Sequence, residues 1–267
     1  MDAVDRPIGI FDSGFGGLSV ARVVRARLPQ ENFIYAADCG HAPWGTRPDD
    51  YVRRRAEHLA HFLLSQNVKA IVVACHTASA VVGDDLAAQL PVPVIRIAPP
   101  VREALAASRV HCIGVMATSK TVTSKSYLQI KSEALSSYPN ARIVDQGCPG
   151  LMECVERGEL NTPATRNLIR RYLMPILEAG ADGIVLGCTH YPFLTEILRQ
   201  EIGNGVEIID PAPIAAESLH RVLTEKRLFN STAAAGRTTF YVDDLNPQRQ
   251  HVLSALISRE ANARKLP

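Results

Sequence analysis

The run AIVVACHTAS, residues 70–79, decides the fold. An apolar stretch with β-branched residues at its centre ends on a cysteine and gives way at once to hydrogen-bonding side chains. That is the outline of a buried strand stopping at a helix start. GIVLGCTHYP, residues 183–192, has the same outline. Similar apolar runs stand at PIGIFD (7–12), NFIYAAD (32–38), VPVIRI (92–97), HCIGVM (111–116), ARIVDQ (141–146) and VEIIDP (206–211). Between them lie helical patterns such as LSVARVVRARL (18–28), YVRRRAEHLAHFLLSQ (51–66) and PATRNLIRRYLMPILEAG (163–180). Near-continuous apolar strands alternating with helices predict an α/β fold whose parallel sheets are covered on both faces.

The order repeats, each half carrying a strand, a helix and a later strand that ends in cysteine. We therefore expect two pseudo-symmetric open parallel-sheet lobes with a site in the cleft between them. Prolines in IAPPV (97–101) and the segment IIDPAPIAAESL (208–219) mark the crossings. The first lobe is then residues 1–98 plus 211–267, and the second is 99–210. The tail FYVDDLNPQRQHVLSALI folds back onto the first.

Composition narrows the function. With 46% apolar and 21% charged residues, the 267-residue chain has the make-up of a globular protein with a large core. A net charge of +2 gives no footprint for a nucleic-acid partner, and RRR at Arg53–Arg55 reads as a solvated helix face. No apolar run is long enough for a membrane span, and Asp2 and Asp5 stand where a signal peptide would be basic, so the cytoplasm is expected. The six cysteines form no C-x-x-C pair, and free thiols are expected in that compartment. A homodimer is compatible with this composition, which does not fix an oligomeric state.

Ligands of open parallel sheets sit beyond the carboxyl ends of the strands, where Asp12, Cys75 and Cys188 are placed. FDSGFGGLSV (11–20) is either a tight turn or a ligand loop at a helix end; neither common nucleotide-binding glycine pattern is met. Thr77 and Ser79 suit the cap of the helix after Cys75, whose start lowers a thiol's pKa. Thr189 and His190 follow Cys188 in the same way. Three readings compete for the two cysteines: buried packing, a metal site, or acid–base thiols. Cys75, His76, Cys188 and His190 offer the donors of a tetrahedral zinc site, but neighbouring residues rarely reach one ion and the usual ligand spacings are missing, so no metal is expected. The matched pair with polar neighbours favours proton transfer at carbon by two opposed thiols, with Asp12 and His190 as proton partners. None of the six lysines stands in a Schiff-base setting, so no pyridoxal cofactor is expected. Ser13, Thr77, Thr118, Thr121 and Thr189 at helix starts suit the carboxylates of a small-molecule substrate, or serve only as caps.

IGIFDSGFGGLSV, APWGTRP, IVVACHTASA, GVMATSKTVTSKSY and IVLGCTHYP together resemble, in order, the signature segments of the cofactor-independent glutamate racemases. The resemblance implies two α/β lobes with the site between them, and interconversion of L- and D-glutamate for peptidoglycan. It implies Cys75 as base for the D-enantiomer and Cys188 for the L-enantiomer, assisted by Asp12 and His190. It also implies substrate contacts from Ser13, Gly45, Thr77 and Thr189. His76 stands where the family usually has asparagine, and Trp44 where it usually has tyrosine. Both join the expected substrate contacts, and His76, titrating near neutrality, is expected to influence substrate choice. Racemisation of aspartate or another dicarboxylate, and a non-catalytic dicarboxylate-binding protein of the same fold, are the competing readings.

Overall fold

Residues that alternate inward and outward along a buried parallel strand need apolar cover on both faces, and this chain supplies it with helices on either side. The structure is a computed structural model describing residues 3–257 and 261–267. Among those residues the order runs β1 (Ile8–Asp12), α1 (Leu18–Arg27), β2 (Phe33–Ala37), α2 (Asp49–Ser65), β3 (Ala70–Val73), α3 (His76–Gln89), β4 (Val94–Arg96) and α4 (Val101–Ala107). It continues with β5 (Cys112–Ala117), α5 (Ser119–Thr123), α6 (Lys125–Ser137), β6 (Arg142–Gly147), α7 (Leu151–Glu156), α8 (Pro163–Glu178) and β7 (Gly183–Gly187). The last elements are α9 (Thr195–Ile202), β8 (Glu207–Ile209), α10 (Ala212–Lys226), β9 (Thr238–Val242), α11 (Pro247–Leu256) and β10 (Ala263–Lys265).

The strands form two sheets, ordered β10-β9-β2-β1-β3-β4 and β6-β5-β7-β8, and every pairing is parallel. With β9 and β10 set aside, the first sheet reads second-first-third-fourth, and so does the other. The repeat suggested by the two cysteine motifs is therefore a repeat of topology. All eight strands expected from the sequence are present. β9 joins the first sheet beside β2, in the register Phe33 to Thr238, so the tail does fold back. The short β10 beyond it was not foreseen, because Ala263–Lys265 carries two charged residues in three and shows no apolar run.

Alternation divides each strand between two cores. Ile8 and Ile10 of β1, Ala70 and Val72 of β3, and Ile184 and Leu186 of β7 all belong to one apolar cluster shared by both sheets. Phe11, Ile71 and Val73 face a second cluster with Leu59 and Leu63 of α2. Ile113, Val115 and Val185 face a third with Val101 and Leu105 of α4. The lobes are thus fused through a common core and part company only at the strand ends. None of the described helices is long and apolar enough to cross a membrane.

Two charged features depart from the sequence reading or escape it. Arg55 is no solvated residue; its guanidinium turns onto the fully buried Asp38. Lys69, with its side chain 1% exposed, pairs at 2.5 Å with Glu31, 2% exposed, and also donates to the carbonyl of Val4. Glu31 in turn accepts from the backbone N–H of Asn230. Removing one partner of such a pair leaves a charge buried without compensation. Lys69→Met is expected to destabilise the protein by roughly 3–5 kcal/mol in denaturant unfolding. A midpoint equal to the wild type's would show that Glu31 finds water or another partner.

Candidate active site

The shared core sets the carboxyl ends of the two sheets against each other. In the order β2-β1-β3-β4, the crevice where connections leave in opposite directions lies between β1 and β3, and its counterpart lies between β5 and β7. Asp12 is the last residue of β1, and Cys75 stands two residues past β3. Thr118 and Cys188 directly follow β5 and β7. Ser13, Cys75, His76 and Thr77 from one side and Thr118, Cys188, Thr189 and His190 from the other line a single cavity with Gly45 and Met152. Its free space is about 20 Å³, room for about one water. That space is too small for an amino acid as it stands.

On the first side, Cys75 is itself the N-cap residue of α3. The expected caps do other work: Thr77 Oγ1 is 3.2 Å from Thr118 Oγ1, and the Ser79 hydroxyl donates to the carbonyl of Val73. The Cys75 sulfur lies 3.6 Å from Ser13 Oγ. Its pKa is not lowered as a helix start would suggest. Burial and then the Asp12 charge push it well up, against the opposing pull of the Ala78 N–H and the Ser13 hydroxyl. Asp12 is 0% exposed; one oxygen accepts from the Gly17 N–H at 2.6 Å, and the other has no hydrogen-bond partner among the described residues. Burial raises its pKa too, opposed by the His190 charge, the Gly17 and Ser13 N–H groups and the Cys75 thiol. Acid and thiol are both held toward their protonated forms.

On the second side, His190 Nδ1 is 3.6 Å from the Cys188 sulfur and Nε2 is 2.7 Å from Glu156 Oε1. Burial alone lowers the imidazole's pKa, but Cys188 and Glu156 outweigh it and carry the value well above 6.5. The ring is held toward its protonated form between the Cys188 sulfur and the Glu156 carboxylate. Glu156 had no signal in the sequence: it ends the short helix α7, at no strand end and in no motif. The same carboxylate accepts the Phe15 N–H at 2.6 Å, joining the glycine turn after β1 to α7. Gly16 lets the two sides close, since a Cβ there would stand 2.3 Å from His190 Nδ1.

The remaining expected residues divide. Ser13, Gly45, His76, Thr77, Thr118 and Thr189 reach the cavity wall; Trp44 and Thr121, expected as substrate contacts, do not. Thr118 lines the cavity and also caps α5, accepting from the Thr121 N–H, as the capping reading of that hydroxyl expects. Thr189 Oγ1 reaches across to Asp12 Oδ2 at 3.4 Å. His76 does not titrate near neutrality: burial lowers its pKa to about 3. It is a neutral ring, and among the described residues neither nitrogen has a hydrogen-bond partner. Donor atoms close enough for a cation occur at Asp38, His41 and Asp243, within 4.8 Å of one another, where the Arg55 guanidinium already lies on Asp38. That group lies outside the set of cysteines and histidines weighed for zinc.

The description of the Asp/Glu/Hydantoin racemase family matches residues 18–219, most of the chain. The chain belongs to this family. Among racemases of the family, the glutamate racemase of Methylococcus capsulatus is 44% identical over 241 residues, 90% of this chain and 88% of that one. A glutamate racemase isoform of Bacillus anthracis superposes with a TM-score of 0.88 at 28% identity, over 98% of this chain and 97% of that one. The Francisella tularensis glutamate racemase, solved with D-glutamate, superposes with a TM-score of 0.85 at 29% identity, over 99% and 98%. The racemase fold is thus shared over nearly the whole length.

The clamped histidine makes a testable statement. Its pKa lies above the unfolded value of 6.5, so its pairing stabilises the fold fully below that pH and is lost as pH rises through the folded value. Histidine NMR at about pH 7.5 is expected to show His190 protonated, and Glu156→Gln to lower its titration midpoint. An unchanged midpoint in the variant would mean that the carboxylate does not hold the proton.

Proposed function

We propose that this protein is a glutamate racemase, interconverting L- and D-glutamate without a cofactor by proton transfer between two thiols on opposite faces of the α-carbon. The observation that carries the reading is the placement of Cys75 and Cys188, one from each topological repeat, in the wall of one cavity. The two lobes, residues 1–98 with 211–267 and residues 99–210, each contribute one thiol and its proton partner. The relatives named above support glutamate as the substrate; in this reading the enzyme works in the cytoplasm and its D-glutamate is supplied for peptidoglycan.

Starting from D-glutamate, the Cys75 thiol must first lose its proton, and Asp12 is the acceptor once the positive charge of the bound substrate offsets the burial that otherwise keeps its carboxyl protonated. The ammonium group of a bound amino acid adds the positive charge that the buried thiolate lacks. The Cys75 thiolate then takes the α-hydrogen as a proton. The Cys188 thiol delivers its own proton to the opposite face, and His190 stabilises the thiolate left behind. One proton is removed and one is added, so the product is the mirror image and no net charge is consumed. From L-glutamate the roles reverse. Ser13, Gly45, Thr77, Thr118 and Thr189 supply hydrogen bonds to the carboxylates. The neutral His76 ring, whose nitrogens have no partner among the described residues, offers one more. Closure around the substrate excludes the water that would otherwise reprotonate the carbanion at random.

Replacing either Cys75 or Cys188 with alanine is expected to lower racemisation by at least about a thousandfold, followed by circular dichroism. Each variant retains one base, so exchange of the α-hydrogen in heavy water is expected to persist without inversion. Cys75→Ala exchanges only L-glutamate and Cys188→Ala only D-glutamate. Full turnover in both variants would overturn the two-thiol mechanism. Tight glutamate binding by the wild type with no α-hydrogen exchange would make the protein a binding module instead.

A further inference from the structure

Gly45 belongs to a segment with no regular ladder to hold it, two single turns at Cys39–His41 and Trp44–Thr46 between β2 and α2. Its placement is nonetheless demanding. A Cβ on Gly45 would lie 2.9 Å from the Cβ of Thr118, so here the backbone of one lobe rests directly on a cavity residue of the other. What fixes that contact is a buried carboxylate outside the cavity. Asp38, 0% exposed at the end of β2, accepts from the Trp44 indole Nε1–H at 3.2 Å. It is held in turn by the Arg55 guanidinium, which donates from Nε at 2.9 Å and from Nη2. His41 Nδ1 lies 3.2 Å from Asp38 and 2.6 Å from Asp243, which follows β9. Arg249 of α11 donates to the carbonyl of Cys39 at 3.0 Å. The segment is therefore pinned from α2 and from the C-terminal strand and helix, and the indole N–H is the link nearest Gly45.

We propose that Asp38 and Trp44 are positioning residues: the carboxylate, through the indole N–H, sets the height of Gly45 against Thr118 and so the fit of the cavity around a bound substrate. Neither residue touches the reacting atoms. Trp44, 1% exposed, does not line the cavity and belongs to the buried apolar cluster that includes Phe11, Val52 and Val73. The indole is there for its N–H as well as its bulk, because a phenyl ring would fill much of the same space and leave Asp38 one donor short. Small displacements of a substrate-holding backbone are costly in binding and orientation. The inference rests on the racemase reading and gives it a residue-level control of substrate fit.

The test is Trp44→Phe, assayed with both glutamate enantiomers beside the wild type. Loss of one hydrogen bond that positions the backbone is expected to raise KM about five- to tenfold, with kcat within about twofold because the thiols and their partners are untouched. A merely structural role would instead lower the melting temperature and the active fraction while leaving KM alone; that result, or wild-type values of both constants, overturns the proposal. Trp44 is the single tryptophan of the chain, which gives a second measurement independent of the variant's folding. Saturating D- or L-glutamate is expected to shift the wild-type protein's tryptophan emission, and a spectrum unmoved by saturating substrate counts against it. A wild-type protein that racemises no glutamate overturns the functional reading and this proposal together, whereas an active wild type with an indifferent Trp44→Phe overturns this proposal alone.

Discussion

A continuous apolar core between two parallel sheets is the constraint on which the rest depends. Because Ile8, Ile10, Val72, Ile184 and Leu186 all pack into it, the sheets cannot slide or rotate freely, and their carboxyl ends are held facing one space. The chemistry follows from that confinement. Asp12, Cys75, Cys188 and His190 are all at most 5% exposed, so each charge there is set by its neighbours and not by water. Burial holds Asp12 and Cys75 toward their protonated forms, while Cys188 and the Glu156 carboxylate hold His190 toward its protonated form. A site built this way stores protons on defined atoms until a charged substrate arrives.

The parts of this architecture that were legible in the sequence are those written in short, local patterns. The strands leading to Cys75 and Cys188 could be read from β-branched runs that stop at hydrogen-bonding residues, and the parallel sheets followed from their alternation with helices. Asp12, Ser13, Thr77 and Thr189 could be marked because a strand end is a fixed place in such a fold. Glu156 could not. It reaches His190 from a one-and-a-half-turn helix, 34 positions away, and a lone glutamate at a helix end looks like any other surface acid. Arg55 was misread for the converse reason, since a triplet of arginines looks solvated and only the tertiary fold shows which one turns inward.

Electrostatic sign was the least legible property. A cysteine at a helix start carries a general expectation of a lowered pKa, and the N–H dipoles at Ala78 do act in that direction on Cys75. Their effect is local and modest, whereas loss of hydration acts on the whole charge. The same balance makes His76 a neutral ring. Depth within the fold decides both, and depth is a property of packing across the two lobes that no ten-residue window contains.

The duplicated strand order has a consequence for the energetics of turnover. Mirror-image amino acids have equal free energy in achiral water, so the overall equilibrium constant must be unity and kcat/KM must be identical in the two directions. The two repeats provide a nearly even-handed scaffold, but they are not equivalent in detail: one cysteine has a carboxyl partner and the other a histidine. Any advantage this asymmetry gives to the departure of one enantiomer's hydrogen must therefore be matched, to the same factor, by weaker capture of that enantiomer. Divergence between the halves can tune how tightly each antipode is held at a given cellular concentration, and it can never tilt the final ratio.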